Sequence, residues 1–254
     1  TTYRNFEIII VDNNDLRPET LEAIKPFDCH HINFDGEFNI ATKMNLGAQK
    51  ARGEYLLFMN DDIEVITPDW MECMLQLSQR KGVGVVGAKL HYENESLQHA
   101  GVAFWNGLPD HIFRAFPATC PGHFFSAVAN RNYLAVTGAV LMTKRELFET
   151  VGGFDERFPI NYNDIDYCLK VFKAGYRNVF AAGARLFHYE SVSREAVVAS
   201  EEIELFQEKW QEVVSYDPYY SSVFDNHPPV FALHQKLDSF TVTDPAKSPV
   251  ISHC

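Results

Sequence analysis

Tyr55-Leu56-Leu57-Phe58-Met59-Asn60-Asp61-Asp62 is a run of aromatic and apolar side chains that stops abruptly in an amide and two carboxylates. The apolar part reads as a buried strand. In open α/β sheets, ligands sit beyond the carboxyl ends of such strands, where the strand order reverses. Two acids at that point, followed by Thr67-Pro68-Asp69-Trp70, point to a cation site at the mouth of a sheet. Taken alone, they fit equally well a solvated strand end whose Asp61 or Asp62 caps a turn.

The flanks supply the rest of an α/β pattern. Upstream, Phe6-Glu7-Ile8-Ile9-Ile10-Val11 is a second strand, ending in Asp12-Asn13-Asn14-Asp15. Residues 17–24 read as a short helix with Pro18 in its first turn, and Asn39 caps a helix through Ala41, Leu46, Ala48 and Ala51 that closes at Arg52-Gly53. Downstream, Thr67 is the expected N-cap of a helix with Pro68 at its first position and Trp70, Met74 and Leu77 on one face. A buried strand follows at 83–88. Strands alternating with helices predict a parallel sheet with helices on its faces. Between 106 and 132 the pattern breaks at Gly107, Pro109, Pro117, Pro121 and Gly122, which fits a functional loop or a surface excursion. Strand 135–142, helix 145–151 ending at Gly152-Gly153, amphipathic helix 164–174, strand segments 178–181 and 186–188, and a last helix from about Ser200 complete the series. From about Leu237 the composition predicts a poorly ordered tail, and there is no internal repeat or second domain.

The chain has 254 residues, 46% hydrophobic and 22% charged, which suits a soluble globular protein of one large α/β domain or two small ones. A net charge of −12 argues against nucleic acid, since no Lys/Arg stripe is available for phosphates. The same charge means that a phosphorylated substrate would need a divalent cation to bridge it to carboxylates. Cys29, Cys73, Cys120, Cys168 and Cys254 form no CxxC pair, which favours reduced thiols in the cytoplasm over a disulfide framework or zinc site. No apolar run approaches the ~18 residues of a membrane span, and no signal peptide opens the sequence.

Together these motifs resemble the family 2 glycosyltransferases of the GT-A fold, over about residues 3–220. The resemblance rests on residues 6–14, Phe38-Asn39 with Asn45-Leu46-Gly47, residues 53–70, Thr137-Gly138-Ala139, Gly152-Gly153-Phe154-Asp155-Glu156, Asn163-Asp164-Ile165-Asp166 and residues 188–194. It implies a Rossmann-like, mostly parallel central sheet flanked by helices, with a C-terminal helix and irregular tail. It further implies inverting transfer from a UDP- or dTDP-sugar to a glycan or lipid-linked glycan in bacterial surface polysaccharide synthesis. Asn60-Asp61-Asp62 matches the family's Asp-x-Asp position, with Asn in place of the first acid. Asp62 then resembles the metal ligand, joined by His188, for Mn²⁺ or Mg²⁺. Asp164 resembles the catalytic base, or is a helix N-cap, with Asn163 where the family has Glu.

By the same resemblance Asp12 reads the base edge, Asn39, Asn45, Asn60, Asp61 and Gly138 belong to the donor pocket, and Ser191, Ser193 and Arg194 to a loop over the diphosphate. Asn163 and Trp105 fall to the acceptor. The family's usual first strand has no match, so residues 1–236 are expected to be an incomplete domain with a gap beside the Phe6 strand, and 237–254 a loose tail. The expected location is cytoplasmic, with other parts of a longer chain able to attach it to the inner face of the membrane. Two other classes stay open: a non-catalytic module binding glycan or a partner chain, and a nucleotidyltransferase, for which no Gly-rich basic loop is present.

Overall fold

The computed structural model describes residues 1–189, 198–226 and 229–233. The expected loop residues Ser191, Ser193 and Arg194 and the tail 237–254 lie outside the described residues.

In chain order the elements are β1 (Ile8–Asp12), α1 (Pro18–Ile24), β2 (Cys29–Asn33), α2 (Ile40–Lys50), β3 (Tyr55–Met59), β4 (Ile63–Val65) and α3 (Trp70–Ser78). Next come β5 (Val83–His91), β6 (Leu97–His99), β7 (Val102–Trp105), β8 (Leu108–His111), β9 (Arg131–Tyr133), β10 (Val140–Lys144) and α4 (Arg145–Thr150). The chain continues through α5 (Asn163–Lys173), β11 (Arg177–His188), α6 (Ser200–Val214) and the hairpin β12 (Phe224–Asn226) and β13 (Pro229–Leu233).

A seven-stranded sheet runs β3-β10-β5-β11-β4, with β6 on β5 and β9 on β11. It is mixed, not mostly parallel: β11 and β5 are parallel, whereas β10 runs antiparallel to both β3 and β5. The physical reason is that a strand buried on both faces reads as a continuous apolar run in either direction; the connection before it sets its direction. Among the described residues β1 pairs in parallel with β2 alone, forming a separate two-stranded sheet.

Successive residues of the central strands serve opposite faces, as the pleat requires. Val86, Ala88, Val140 and Met142 pack with Trp70, Met74 and Leu77 of α3. Val85 and Leu141 join the other layer, with Tyr167, Leu169, Phe206 and Trp210 of α5 and α6. Each such Val, Leu, Met or Phe side chain contributes about 1.5–3 kcal/mol by leaving water.

Two expectations are corrected. Thr67 does not cap α3; its hydroxyl donates to the Gly183 carbonyl (3.0 Å), which fastens the start of α3 to β11. The stretch 106–132 is not wholly irregular, because Asn106-Gly107 closes the β7–β8 hairpin with both residues at positive φ (49° and 77°). Asn-Gly suits the type I′ geometry that a two-residue hairpin loop favours.

The segment leading into α5 is fastened from α6. Glu202 accepts from the Ile160 and Asn161 N–H groups (3.1 and 2.9 Å), and the Trp210 indole donates to Asp166 Oδ1 (2.8 Å). Lys209 reaches Asp155 Oδ2 at 2.8 Å. Hydrogen bonds from Arg157, aided by Lys209, hold the Asp155 carboxyl well below the usual carboxylate range. Phe154 is buried against Phe58 and Phe148, which anchors the Gly152-Gly153-Phe154-Asp155 loop to β3.

Candidate active site

The end of β3 and the start of β4 meet the end of β11. His188 stands opposite Ile63 in antiparallel register, and the Tyr189 N–H donates to the Asp62 carbonyl at 3.0 Å. This pairing brings together residues 126 positions apart in the sequence: Asp62 Oδ1 lies 3.1 Å from His188 Nε2. That oxygen is buried and has no hydrogen-bond partner. A buried carboxylate oxygen without a donor is costly unless something absent from the apo chain satisfies it. A carboxylate oxygen and an imidazole nitrogen about 3 Å apart suit two neighbouring ligands of one divalent ion, each at about 2.1 Å. Among the described residues no group of three His, Cys, Asp or Glu side chains forms a metal cage. The remaining positions would go to phosphate oxygens and water, as is usual for Mg²⁺-type sites. The Asn60 amide nitrogen is 3.2 Å from the same His188 nitrogen, whereas Asp61 is exposed.

Asp164 occupies the second position of α5, after Tyr162, which turns the chain at φ 60°. It is therefore not the N-cap, although it still binds first-turn backbone. Oδ1 accepts from the Ile165 N–H (2.8 Å) and Oδ2 from the Gly138 N–H (2.6 Å). Burial pushes its carboxyl up, and these N–H groups only partly oppose the rise. Each oxygen keeps a lone pair for a further donor. The Asn60 N–H donates to the Ala139 carbonyl (3.0 Å), so the segment carrying Gly138 joins the Asp164 carboxylate to the end of β3.

Gly138 was expected in the donor pocket; its position is explained by Asp164. A Cβ there would lie 2.8 Å from Asp164 Cβ, closer than real contacts allow. Gly138→Ala is expected to displace the Asp164 carboxylate, a shift that a crystal structure of the variant would show.

The other expected residues divide. Asp12 is buried at the end of β1, 3.2 Å from His31 Nε2. Burial works against its charge, but hydrogen bonds at Asp15 and His31 outweigh that and hold the carboxyl below its ordinary value. Asn39 caps α2, accepting from the Thr42 N–H (3.0 Å) and donating to the Glu156 carbonyl (2.9 Å). Asn45 exchanges hydrogen bonds with the Phe154 backbone (2.9 and 3.0 Å) and donates to Glu156 (3.0 Å). Both amides are thus engaged in holding the 153–156 loop. Asn163 is buried, donating to the Ile160 carbonyl (3.1 Å), so its amide closes a turn. Trp105 ends β7, half-buried beside the hairpin turn. Sequence reasoning missed Gln98, whose Oε1 lies 2.7 Å from His188 Nδ1. A glutamine between Leu97 and His99 in a three-residue strand carries no motif that would reveal it.

Residues 1–152 match the family described as "Glycosyl transferase family 2". The chain belongs to that family. The match takes in Asp12, Asn60 to Asp62 and Gly138 and stops short of Asp164 and His188. Two longer relatives extend over 87% of this family 2 chain. The uncharacterised protein y4gI of Sinorhizobium fredii is 38% identical over 235 residues, and the O-antigen biosynthesis protein RfbC of Myxococcus xanthus is 36% identical over 237. The chain spans only 26% and 18% of their respective lengths. An N-acetylglucosaminyl-diphospho-decaprenol L-rhamnosyltransferase of Mycobacterium tuberculosis is 34% identical over 58 residues, 23% of this chain and 19% of that protein.

Among solved structures, GalNAc-T7 with UDP, GalNAc and Mn²⁺ superposes with a TM-score of 0.63 at 16% identity, over 82% of this chain and 43% of the other. The mannosyltransferase PcManGT from Pyrobaculum calidifontis with GDP-Man and Mn²⁺ gives 0.51 at 16% identity, over 74% and 48%. At that identity the likeness establishes the GT-A fold. No helix among the described residues is long and apolar enough to cross a membrane.

Beneath the site of this family 2 chain lies a histidine pair, His99 and His111, with their Nδ1 atoms 3.0 Å apart. The Thr137 N–H, which can only donate, faces His99 Nε2 at 3.5 Å, so the His99 proton sits on Nδ1 and points at His111. Burial drives both rings below their ordinary 6.5, His111 to about 3. The unfolded chain takes up these protons near 6.5 and the folded chain refuses them. Stability present above that pH is therefore lost as the pH falls toward 3, by up to about 1.4 kcal/mol per pH unit per group. Melting curves should show a falling melting temperature from about pH 7 to about pH 5, and His111→Gln should flatten that slope.

Proposed function

We propose that this chain is the catalytic module of an inverting, metal-assisted glycosyltransferase, moving a sugar from a UDP- or dTDP-sugar to a glycan or lipid-linked glycan of a surface polysaccharide. The observation that carries the reading is the orphaned Asp62 Oδ1 set 3.1 Å from His188 Nε2 at the strand ends, with Asp164 joined to the same strand end through Gly138 and Ala139. Family membership, the O-antigen and rhamnosyltransferase names of relatives, and the Mn²⁺-bearing neighbours of like fold support it.

In this mechanism Asp62 and His188 would hold Mn²⁺ or Mg²⁺, which would supply positive charge for the leaving diphosphate. Asp12 accepts the imide N–H of the pyrimidine. Asp164 accepts the proton of the attacking acceptor hydroxyl. Its raised pKa makes it a stronger base than an exposed carboxylate, and the Gly138 and Ile165 N–H groups keep it oriented.

Thermal melting of the chain with UDP and with dTDP, each with Mn²⁺ and then with a chelator, tests the donor half of this reading. A ligand that binds only the native state raises the melting temperature by mass action. A metal-dependent rise with one nucleotide is expected. A cooperative melt unmoved by either nucleotide would instead favour a non-catalytic module.

A further inference from the structure

The buried side chain of Gln98 grips His188 at two points. Its Nε2 lies 3.3 Å from the His188 backbone carbonyl and its Oε1 lies 2.7 Å from His188 Nδ1. A carbonyl oxygen can only accept, so the amide group of Gln98 must turn its NH₂ toward it. That leaves Oε1, which also can only accept, facing Nδ1, and Nδ1 must then carry the ring proton. With its single proton on Nδ1, the imidazole presents a lone pair at Nε2. One neighbour agrees: the Asn60 amide nitrogen, a donor, faces Nε2 at 3.2 Å.

We infer that Gln98 is a positioning residue: from β6 it selects the His188 tautomer whose Nε2 lone pair faces Asp62, preparing the pair for a divalent cation. The inference rests on the metal reading proposed above. It deepens that reading by adding the partner that orients a ligating imidazole, and such partners commonly govern affinity by 10- to 100-fold.

The test uses the whole chain and Mn²⁺ alone, with UDP added in a parallel series. First, long-range ¹H–¹⁵N correlation spectra of the metal-free wild type at about pH 8 report which His188 nitrogen is protonated. Protonated Nδ1 with bare Nε2 is expected, and a proton on Nε2 overturns the inference. Second, Mn²⁺ affinity is measured by calorimetry for the wild type, Gln98→Leu and Gln98→Glu. Leucine fills the space but cannot accept from Nδ1, so affinity should fall about 10- to 100-fold. Glutamate keeps an acceptor at Nδ1 but sets its second oxygen against the His188 carbonyl, so affinity should fall, and by less than in Gln98→Leu.

A purely packing role predicts the opposite order, since a buried extra charge harms more than an apolar replacement. That order, or equal affinity in wild type and Gln98→Leu, overturns the inference while leaving the metal reading intact. A folded wild type that binds no Mn²⁺ in either series overturns both. Should Gln98→Leu fail to fold, the wild-type spectrum and the glutamate variant still decide the matter.

Discussion

Asp62→Ala is expected to abolish Mn²⁺-dependent nucleotide binding while leaving the apo chain as stable as before. Asp62 supplies an oxygen that lies beside His188 Nε2 and lacks a hydrogen-bond partner within the protein. With alanine there, the proposed cation would keep one of its two proposed protein ligands, in a chain whose net charge of −12 disfavours a bare diphosphate. Saturation at about 100 times Kd stabilises a native state by about 2.7 kcal/mol, which for a domain of this size is a rise of roughly 5–10 °C in melting temperature. That rise should vanish in Asp62→Ala. The metal-free melting temperature should not fall, because the side chain that is removed carries a buried oxygen without a hydrogen-bond partner. A variant that keeps the full metal-dependent rise would remove Asp62 from the metal site.

Asp164→Asn separates chemistry from binding. On the proposed mechanism the amide keeps the size of the carboxyl group and one of its two backbone hydrogen bonds but cannot take the acceptor's proton, so turnover should fall by about 10²- to 10⁴-fold with nucleotide affinity unchanged. That loss corresponds to about 2.7–5.4 kcal/mol of barrier. The pH dependence is a second reading of the same residue. The base works when ionised, and its pKa is raised by burial, so the wild-type rate should climb with pH through that raised value and then level. The residual rate of Asp164→Asn should lack that limb. Full activity in the variant would exclude Asp164 as the base and turn attention to Asp166, although that carboxylate is buried and bound to the Trp210 indole.

Much of the candidate site was legible because its parts lie at the ends of strongly patterned elements. The apolar run 55–59 followed by Asn60-Asp61-Asp62 marks the mouth of the sheet, and β3 does end at Met59. Asn39 as a helix cap and Pro18 at a helix start are local chemistry, satisfied within a few residues, and the structure holds both. Thr67 shows the limit of such reasoning. Its hydroxyl had a nearby use as a cap, but Gly183, remote in sequence, offered a carbonyl at 3.0 Å. Asn106-Gly107 was a readable hairpin signal, masked by the prolines and glycines around it.

The sequence by itself determined where the helices and the strongly patterned strands β1, β3, β5, β10 and β11 lie, and that carboxylates gather at strand ends, since each follows from periodicity and side-chain chemistry acting over a few residues. The strands β2, β4, β6, β7, β8 and β9 are too short or too polar for such a pattern and were not read. Strand direction was decided by tertiary structure, because a doubly buried strand reads the same both ways, and β10 turned out antiparallel. Pairing of β4 with β11 decided that Asp62 meets His188, and the lack of a Cβ at Gly138 decided that its backbone can hold Asp164. The place of Gln98 against His188 belongs there too. A hydrogen bond between side chains 90 residues apart leaves no trace in local pattern, because only the folded sheet brings donor and acceptor within reach.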